Sequence, residues 1–169
     1  TGEESPPAEE EVPIEPLTIA EALDFDPSNS GGNNEENPQR AADVHDGDAD
    51  TAWQTVDYYS PLEDQKDGVG IFVRLDEPAM VTGMNLVFDP DGADVEIRVA
   101  PDGATEPPSS YDDWSVVSTI EDTEAEYTPL ELDEPVATQY VLVWFTRLPQ
   151  VGGDYKGGVA ELEVLGRVS

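Results

Sequence analysis

The segment Ala42–Trp53, ADVHDGDADTAW, holds the densest set of oxygen donors in the chain. Asp46, Asp48 and Asp50 alternate around a Gly47 turn, a spacing that invites comparison with an EF-hand loop. The comparison fails: the sixth loop position is Thr51 rather than Gly, the twelfth is Asp57 rather than Glu, and no helix-forming run flanks either side. Hard carboxylate and carbonyl oxygens crowded into a tight glycine turn still suit Ca²⁺. The plain alternative is a solvated aspartate-rich turn, and the spacing alone leaves both readings open.

Other reactive groups are scarce. There is no cysteine, so thiolate catalysis, zinc–thiolate sites, redox motifs and disulfides are all excluded. His45 is the one histidine, and no G-x-S-x-G string accompanies it, so a hydrolase triad has no parts. Among 39 acids some carboxylate pairs must arise by number, but nothing singles out one for glycoside hydrolysis. The expectation is a protein that is not an enzyme. Rings and cations in predicted loops are another matter: Tyr58 and Tyr59, Tyr111 and Trp114, then Arg147, Tyr155 and Lys156. Sugars stack on rings while a few polar groups take their hydroxyls, so these residues are the candidate ligand-binding set. Their plain alternative is capping the ends of a core.

The composition limits the partners. Seven Lys and Arg stand against 39 Asp and Glu, a formal charge of −32. Counterion release needs clustered cations, so nucleic acid is disfavoured, as is an anionic membrane surface. Much of the acidity serves solubility. The longest apolar run, Tyr140–Phe145, is far too short to span a bilayer as a helix.

The elements that must position these groups read as β-strands. Residues 1–16 contain six Glu, four Pro and no basic residue, the composition of a disordered acidic linker tethering the chain to something else. Residues 17–169 form the expected domain. Leu17–Phe25 is a first strand, and Gln39–Val44 one helical turn. Val69, Ile71, Val73 and Leu75 share one face of a strand, Met80, Met84, Leu86 and Phe88 that of the next, and Val95, Ile97 and Val99 a third. Further strands are expected over Trp114–Ile120, Glu126–Leu132, Thr138–Arg147 and Val159–Arg167. Turn strings such as Asp76-Glu77-Pro78 and Asp133-Glu134-Pro135 separate the runs. About eight short strands without a long amphipathic helix predict an all-β jelly-roll sandwich. Tyr140–Phe145 is apolar on both faces and belongs in the middle of a sheet, covered on both sides.

The string H-D-G-D-x-D-T-A-W (45–53), after Phe25-Asp26-Pro27 and before a run of strands, resembles the D-G-x-x-x-T-x-W signature of discoidin-like, or F5/8 type C, domains. The closing G-V-A-E-L-E-V-L-G (158–166) is similar to that family's last strand, and the resemblance covers roughly residues 18–167. Together with K-D-G-V-G-I (66–71) and Y-V-L-V-W-F-T-x-L (140–148), these strings also resemble the extracellular C-terminal module of actinobacterial MviN/MurJ-type lipid II flippase proteins.

The resemblance implies a galactose-binding-like fold and a structural Ca²⁺ between the first long loop and the last strand. The matching ligands are Ala42 and Asp48 (carbonyls), Asp46 (carboxylate), Thr51 (carbonyl and hydroxyl), Ala160 (carbonyl) and Glu161 (carboxylate). Glu161 would point away from the apolar face of Ala160, Leu162 and Val164, and Trp53 and His45 would pack beneath the loop. Asp43 and Asp50 depart from the pattern and have no assigned role. The implied function is a non-catalytic, extracellular module, tethered at the outer face of the plasma membrane, binding cell-wall glycan through loops at one end of the sandwich. A protein-interaction module recruiting cell-wall synthesis or division partners and a structural appendage are the alternatives. As an isolated domain the chain is expected to be monomeric.

Overall fold

The computed structural model describes residues 14–27, 36–48, 50–126 and 128–168. The linker expected over residues 1–13 and the loop expected over 28–35 lie outside them. Pairing begins earlier than the expected domain boundary: strand β1 (Glu15–Pro16) runs antiparallel to β10 (Gly158–Val168). The other strands are β2 (Ile19–Phe25), β3 (Trp53–Gln54), β4 (Val69–Phe88), β5 (Asp94–Val99), β6 (Ser115–Ile120), β7 (Thr128–Arg147), β8 (Gln150–Val151) and β9 (Asp154–Tyr155). The single turn expected at Gln39–Val44 is a 3-10 helix, Pro38–His45.

Two strands are longer than their sequence suggests. Asp76-Glu77-Pro78 and Asp133-Glu134-Pro135 are not turns between strands; they lie within β4 and β7, where polar, proline-containing stretches bend the chain without ending it. The β4–β7 register shifts between Arg74 and Ala79, and again between Val81 and Gly83, as bulged, bent strands require. Each long strand therefore serves both layers. Residues 69–74 of β4 and 140–145 of β7 pair with each other and extend to β2 on one side and to β5 and β6 on the other; residues 79–88 of β4 lie between β7 and β10, which carries β1 and β3. All pairings are antiparallel, and the expected jelly-roll sandwich is what the sheet forms.

The main core fills the space between the layers. Val69, Ile71, Val73 and Leu75 meet Met84, Leu86, Phe88, Val159, Leu162 and Val164 there, on the alternating positions that the sequence pattern marks. Trp53 is buried among them, its ring tilted against Phe145. Tyr140–Phe145 is central, as its two apolar faces require: Val141, Val143 and Phe145 face the main core, while Tyr140, Leu142 and Trp144 face outward. A second, smaller core covers that outer face. Phe25, Phe72 and Trp114 pack there, and Tyr111 stacks on Trp144 with centroids 5.0 Å apart. The cover is irregular chain, supplied by the loop between β5 and β6.

Candidate functional site

The acidic loop is built by hydrogen bonds among its own members. The amides of Asp48 and Asp50 donate to the carboxylates two residues earlier, Asp46 Oδ1 and Asp48 Oδ1, each at 2.9 Å. These aspartate turns are the local reason for the alternation of Asp along this stretch. Thr51 Oγ1 lies 2.5 Å from Asp46 Oδ2 and 2.9 Å from the Asp48 carbonyl. The Thr51 hydroxyl and the Asp48 amide hold the Asp46 carboxyl below the usual carboxylate range. Asp43, without a role from sequence, pairs with Arg40 at 2.6 Å.

Glu161 closes the loop from β10. The Gly47 amide donates to its Oε2 at 3.2 Å, joining residues 114 apart in sequence. Its Oε1 is buried and has no hydrogen-bond partner among the described residues. Burial raises the Glu161 carboxyl, and Asp46, Glu163 and Asp48 raise it further against the Gly47 hydrogen bond. The structure thus brings Asp46, Asp48, Thr51 and Glu161 together. Ala42 and Ala160 lie in the 3-10 helix and in β10, which pack against each other here. Among the described residues no three carboxylates or imidazoles form a metal cage. The expected donor set does not need one, since it draws on two carboxylates and otherwise on carbonyl and hydroxyl oxygens. A buried carboxylate oxygen without a donor, facing an acidic loop, fits a hard divalent cation.

The seven expected ligand-binding residues do not gather in one place. Tyr58 is 6% exposed, and its hydroxyl donates to the Glu36 carboxylate at 2.9 Å, so its ring offers no surface. Tyr111 is spent on Trp144 and on a 3.1 Å hydrogen bond to Asp67. Trp114 is buried in the second core. Arg147 grips Asp94 at 2.9 Å and the Gly92 carbonyl at 3.0 Å, tying β7 to the start of β5. Tyr155 packs against the main core, and its backbone exchanges two hydrogen bonds with Tyr58. Only Tyr59, 85% exposed, presents a bare ring. Lys156 lies half-buried with Nζ 3.5 Å from Asp57 Oδ1.

That last pair borders a cleft of about 390 Å³, lined among others by Asn37, Gln39, Arg40, Gln54, Asp57 and Lys156. Its walls are tied to the sheet. Asn37 Nδ2 donates to the Gln54 carbonyl at 2.7 Å, Gln54 Nε2 to the Asp89 carbonyl at 3.1 Å, and Thr55 N to the Gly157 carbonyl at 2.8 Å. Gly158 permits this closeness, since a Cβ there would meet the Trp53 carbonyl at 2.6 Å. Tyr59 follows Asp57 by two residues, beside the Tyr58–Tyr155 bridge. Side-chain amides and both charge signs thus gather in this cleft. Sequence reasoning placed Lys156 and Tyr59 in the binding set but missed Asn37, Gln39, Arg40, Gln54 and Asp57. The polar run Asn37-Pro38-Gln39-Arg40, read there only as loop and helical turn, was the available signal.

No protein-family model matches the sequence. Solved structures do. Chitosan-binding module 1 from a chitosanase/glucanase of Paenibacillus sp. IK-5 is 22% identical, with 90% of this chain and 99% of that one covered at a TM-score of 0.61. The family 32 carbohydrate-binding module of Clostridium perfringens NanJ, solved with galactose, is 15% identical over 90% of this chain and 99% of that one, at 0.57. An F5/8 type C domain of a Bacteroides fragilis protein is 13% identical over 90% and 98%, also at 0.57. The chain has the galactose-binding-like β-sandwich fold of these domains.

Proposed function

We propose that the chain is an extracellular, non-catalytic carbohydrate-binding module whose ligand lies in the Asn37–Gln54–Lys156 cleft. The observation that carries this reading is the cleft itself: polar, about 390 Å³, and walled by Asp57, two residues before the exposed ring of Tyr59. Amide groups and a charged pair suit sugar hydroxyls, and the ring suits a pyranose face. A chitosan-binding module and a carbohydrate-binding module solved with galactose share the fold, which supports the choice of ligand class. An open site of this kind gains little per contact, so single-site affinity is expected at a Kd of roughly 0.1–1 mM.

The reading has two further parts. Ala42, Asp46, Asp48, Thr51, Ala160 and Glu161 hold a structural Ca²⁺, which neutralises the loop and clips it to β10. The acidic N-terminal stretch tethers the module to a membrane portion of the MviN/MurJ type, so that cell-wall glycan is the natural ligand. The test is a pull-down of the chain with purified peptidoglycan, competed by chitotriose or galactose. Retention lost on competition supports the reading. Capture of a cell-envelope protein without any glycan retention favours an interaction module, and release of product sugars identifies an enzyme.

A further inference from the structure

Beneath the cleft lies a group of ionisable side chains that glycan contact does not use. Glu36 is 1% exposed, Asp26 3% and Tyr58 6%. The Tyr58 hydroxyl sits 2.9 Å from both Glu36 oxygens and accepts from Lys66 Nζ at 3.0 Å. Lys66 Nζ also donates to Asp26 Oδ1 at 2.8 Å. Glu36 Oε2 accepts from the Val56 amide at 2.8 Å. The backbone of the same residue is equally engaged: its amide donates to Asp24 Oδ2 at 2.6 Å, and its carbonyl accepts from Trp53 Nε1 at 2.8 Å.

Glu36 thereby touches two of the segments that shape the cleft, and Tyr58 links it to the third, which carries Lys156. Its chain neighbour Asn37 forms one wall, and Val56 and Tyr58 bracket Asp57 on the other. We propose that Glu36 is the positioning residue of the cleft, and that the charge on its carboxylate sets the shape of the Val56–Tyr58 wall. The consequence for ligand rests on the carbohydrate reading; the effect on the wall does not.

The groups facing Glu36 explain why the charge matters. The end of β2 and the residues after it present Asp24 and Asp26, both acidic. The 55–58 segment presents an amide and the Tyr58 hydroxyl, and Lys66, just after the 3-10 helix Leu62–Asp64, is the cation facing the group among the described residues. Burial is the largest influence and pushes the Glu36 carboxyl up to about 7, with Asp26 adding to the rise and the Val56, Tyr58 and Lys66 contacts opposing it. The group therefore changes charge near neutral pH. Ionised, it draws two charge-assisted donors, Val56 N–H and Tyr58 O–H, onto one carboxylate. Protonated, it must itself donate, and the acceptor in reach is the Tyr58 oxygen. Tyr58 must then turn its own hydrogen away, and the Val56 bond loses its charge assistance. The wall resets.

The experiment follows the Glu36 side-chain carboxyl and the backbone amides of Asn37, Val56, Asp57 and Tyr58 by NMR across pH 5–9, in the full chain with Ca²⁺ held constant. The expected result is one shared midpoint near 7. Glu36→Gln should abolish that midpoint in the amides, and Tyr58→Phe, which removes a hydrogen bond favouring the anion, should move it upward. A purely structural Glu36 would leave the amides flat over this range, and flat wild-type amides overturn the proposal without any variant. So does a midpoint that survives in Glu36→Gln. Chitotriose binding measured alongside should change at least about threefold between pH 6 and 8 in wild type, the fold-change of a 0.6 kcal/mol difference, and stay level in Glu36→Gln. If chitotriose, galactose and soluble muropeptides all fail to bind at either pH while the amide midpoint is present, the carbohydrate reading fails and the positioning role of Glu36 stands.

Discussion

Two acidic regions lie at the same end of the sandwich and handle negative charge in opposite ways. In the Asp46–Thr51 loop the carboxylates are exposed, held by backbone amides and hydroxyls, and closed by Glu161, whose buried oxygen meets no donor among the described residues. Under the cleft, Glu36 and Asp26 are buried, and the chain supplies its own cation, Lys66. The first region is built from oxygens in excess of donors; in the second one half-buried lysine bonds Asp26 and the Tyr58 hydroxyl that in turn donates to Glu36. Residue type does not decide which is which. Position does: Asp46 is held below its ordinary range by hydrogen bonds, whereas burial lifts Glu36 above its own.

The contrast gives experiments that should separate the two regions. The largest effect is expected from Lys66→Met, which leaves Asp26 buried without its cation. Breaking a buried pair on one side costs about 3–5 kcal/mol, read as a fall in Tm of roughly 10 °C. Ca²⁺ should not restore it. If Lys66→Met melts like wild type, the internal cation is not what balances this cluster.

Next comes calcium itself. Saturating Ca²⁺ over EGTA should add about 2–3 kcal/mol, since a ligand bound only by the native state at a hundred times its Kd contributes that much. Glu161→Ala should melt alike with and without the ion, while Lys66→Met keeps the increment. Superimposable melting curves of wild type in Ca²⁺ and EGTA contradict the calcium site.

The pH response should carry opposite signs in the two regions. Because the folded Glu36 carboxyl lies above its unfolded value of about 4.5, the native state holds the extra proton between about 4.5 and 7. Its contribution to stability is fully present below that window and is lost as pH rises through about 7, at up to about 1.4 kcal/mol per unit. Denaturant midpoints of Glu36→Gln against wild type should therefore diverge with rising pH in favour of the variant, and level off above about 8. Asp46 works the other way, its contribution being lost as pH falls through its depressed value. A Glu36→Gln difference that is constant from pH 5 to 8 contradicts this account. The smallest effect is expected at Arg40→Ala: the exposed Arg40–Asp43 pair is worth well under about 1 kcal/mol, so the variant should melt within a degree or two of wild type.

Much of the scaffold is legible in the sequence because burial follows alternation. Val69, Ile71, Val73 and Leu75 face the main core as their spacing predicts, and Tyr140–Phe145 is covered on both sides because both its faces are apolar. What alternation cannot show is continuity. Proline and acids at 76–78 and 133–135 look like turns, yet a bulged strand tolerates them at a bend. Nor can it show what covers the outer face, because the loop bearing Tyr111 and Trp114 has no period of its own. The cleft was least legible. Tyr58 and Tyr59 are adjacent and chemically identical, but one bonds a buried carboxylate and the other meets solvent. Glu36 is one acid among 39, and no local pattern marks it as the buried one.

The central claim is that the Asn37–Gln54–Lys156 cleft holds a sugar. Its most direct test is an amide chemical-shift titration of the calcium-loaded chain with chitotriose, galactose and soluble muropeptides, in wild type and in Gln54→Ala and Tyr59→Ala. The account predicts saturable shifts from at least one of these glycans, clustered at Asn37, Gln54, Asp57 and Lys156, weakened about tenfold or more by either substitution. Shifts clustered instead around Tyr111 and Arg98, or no shifts with any glycan, would contradict it.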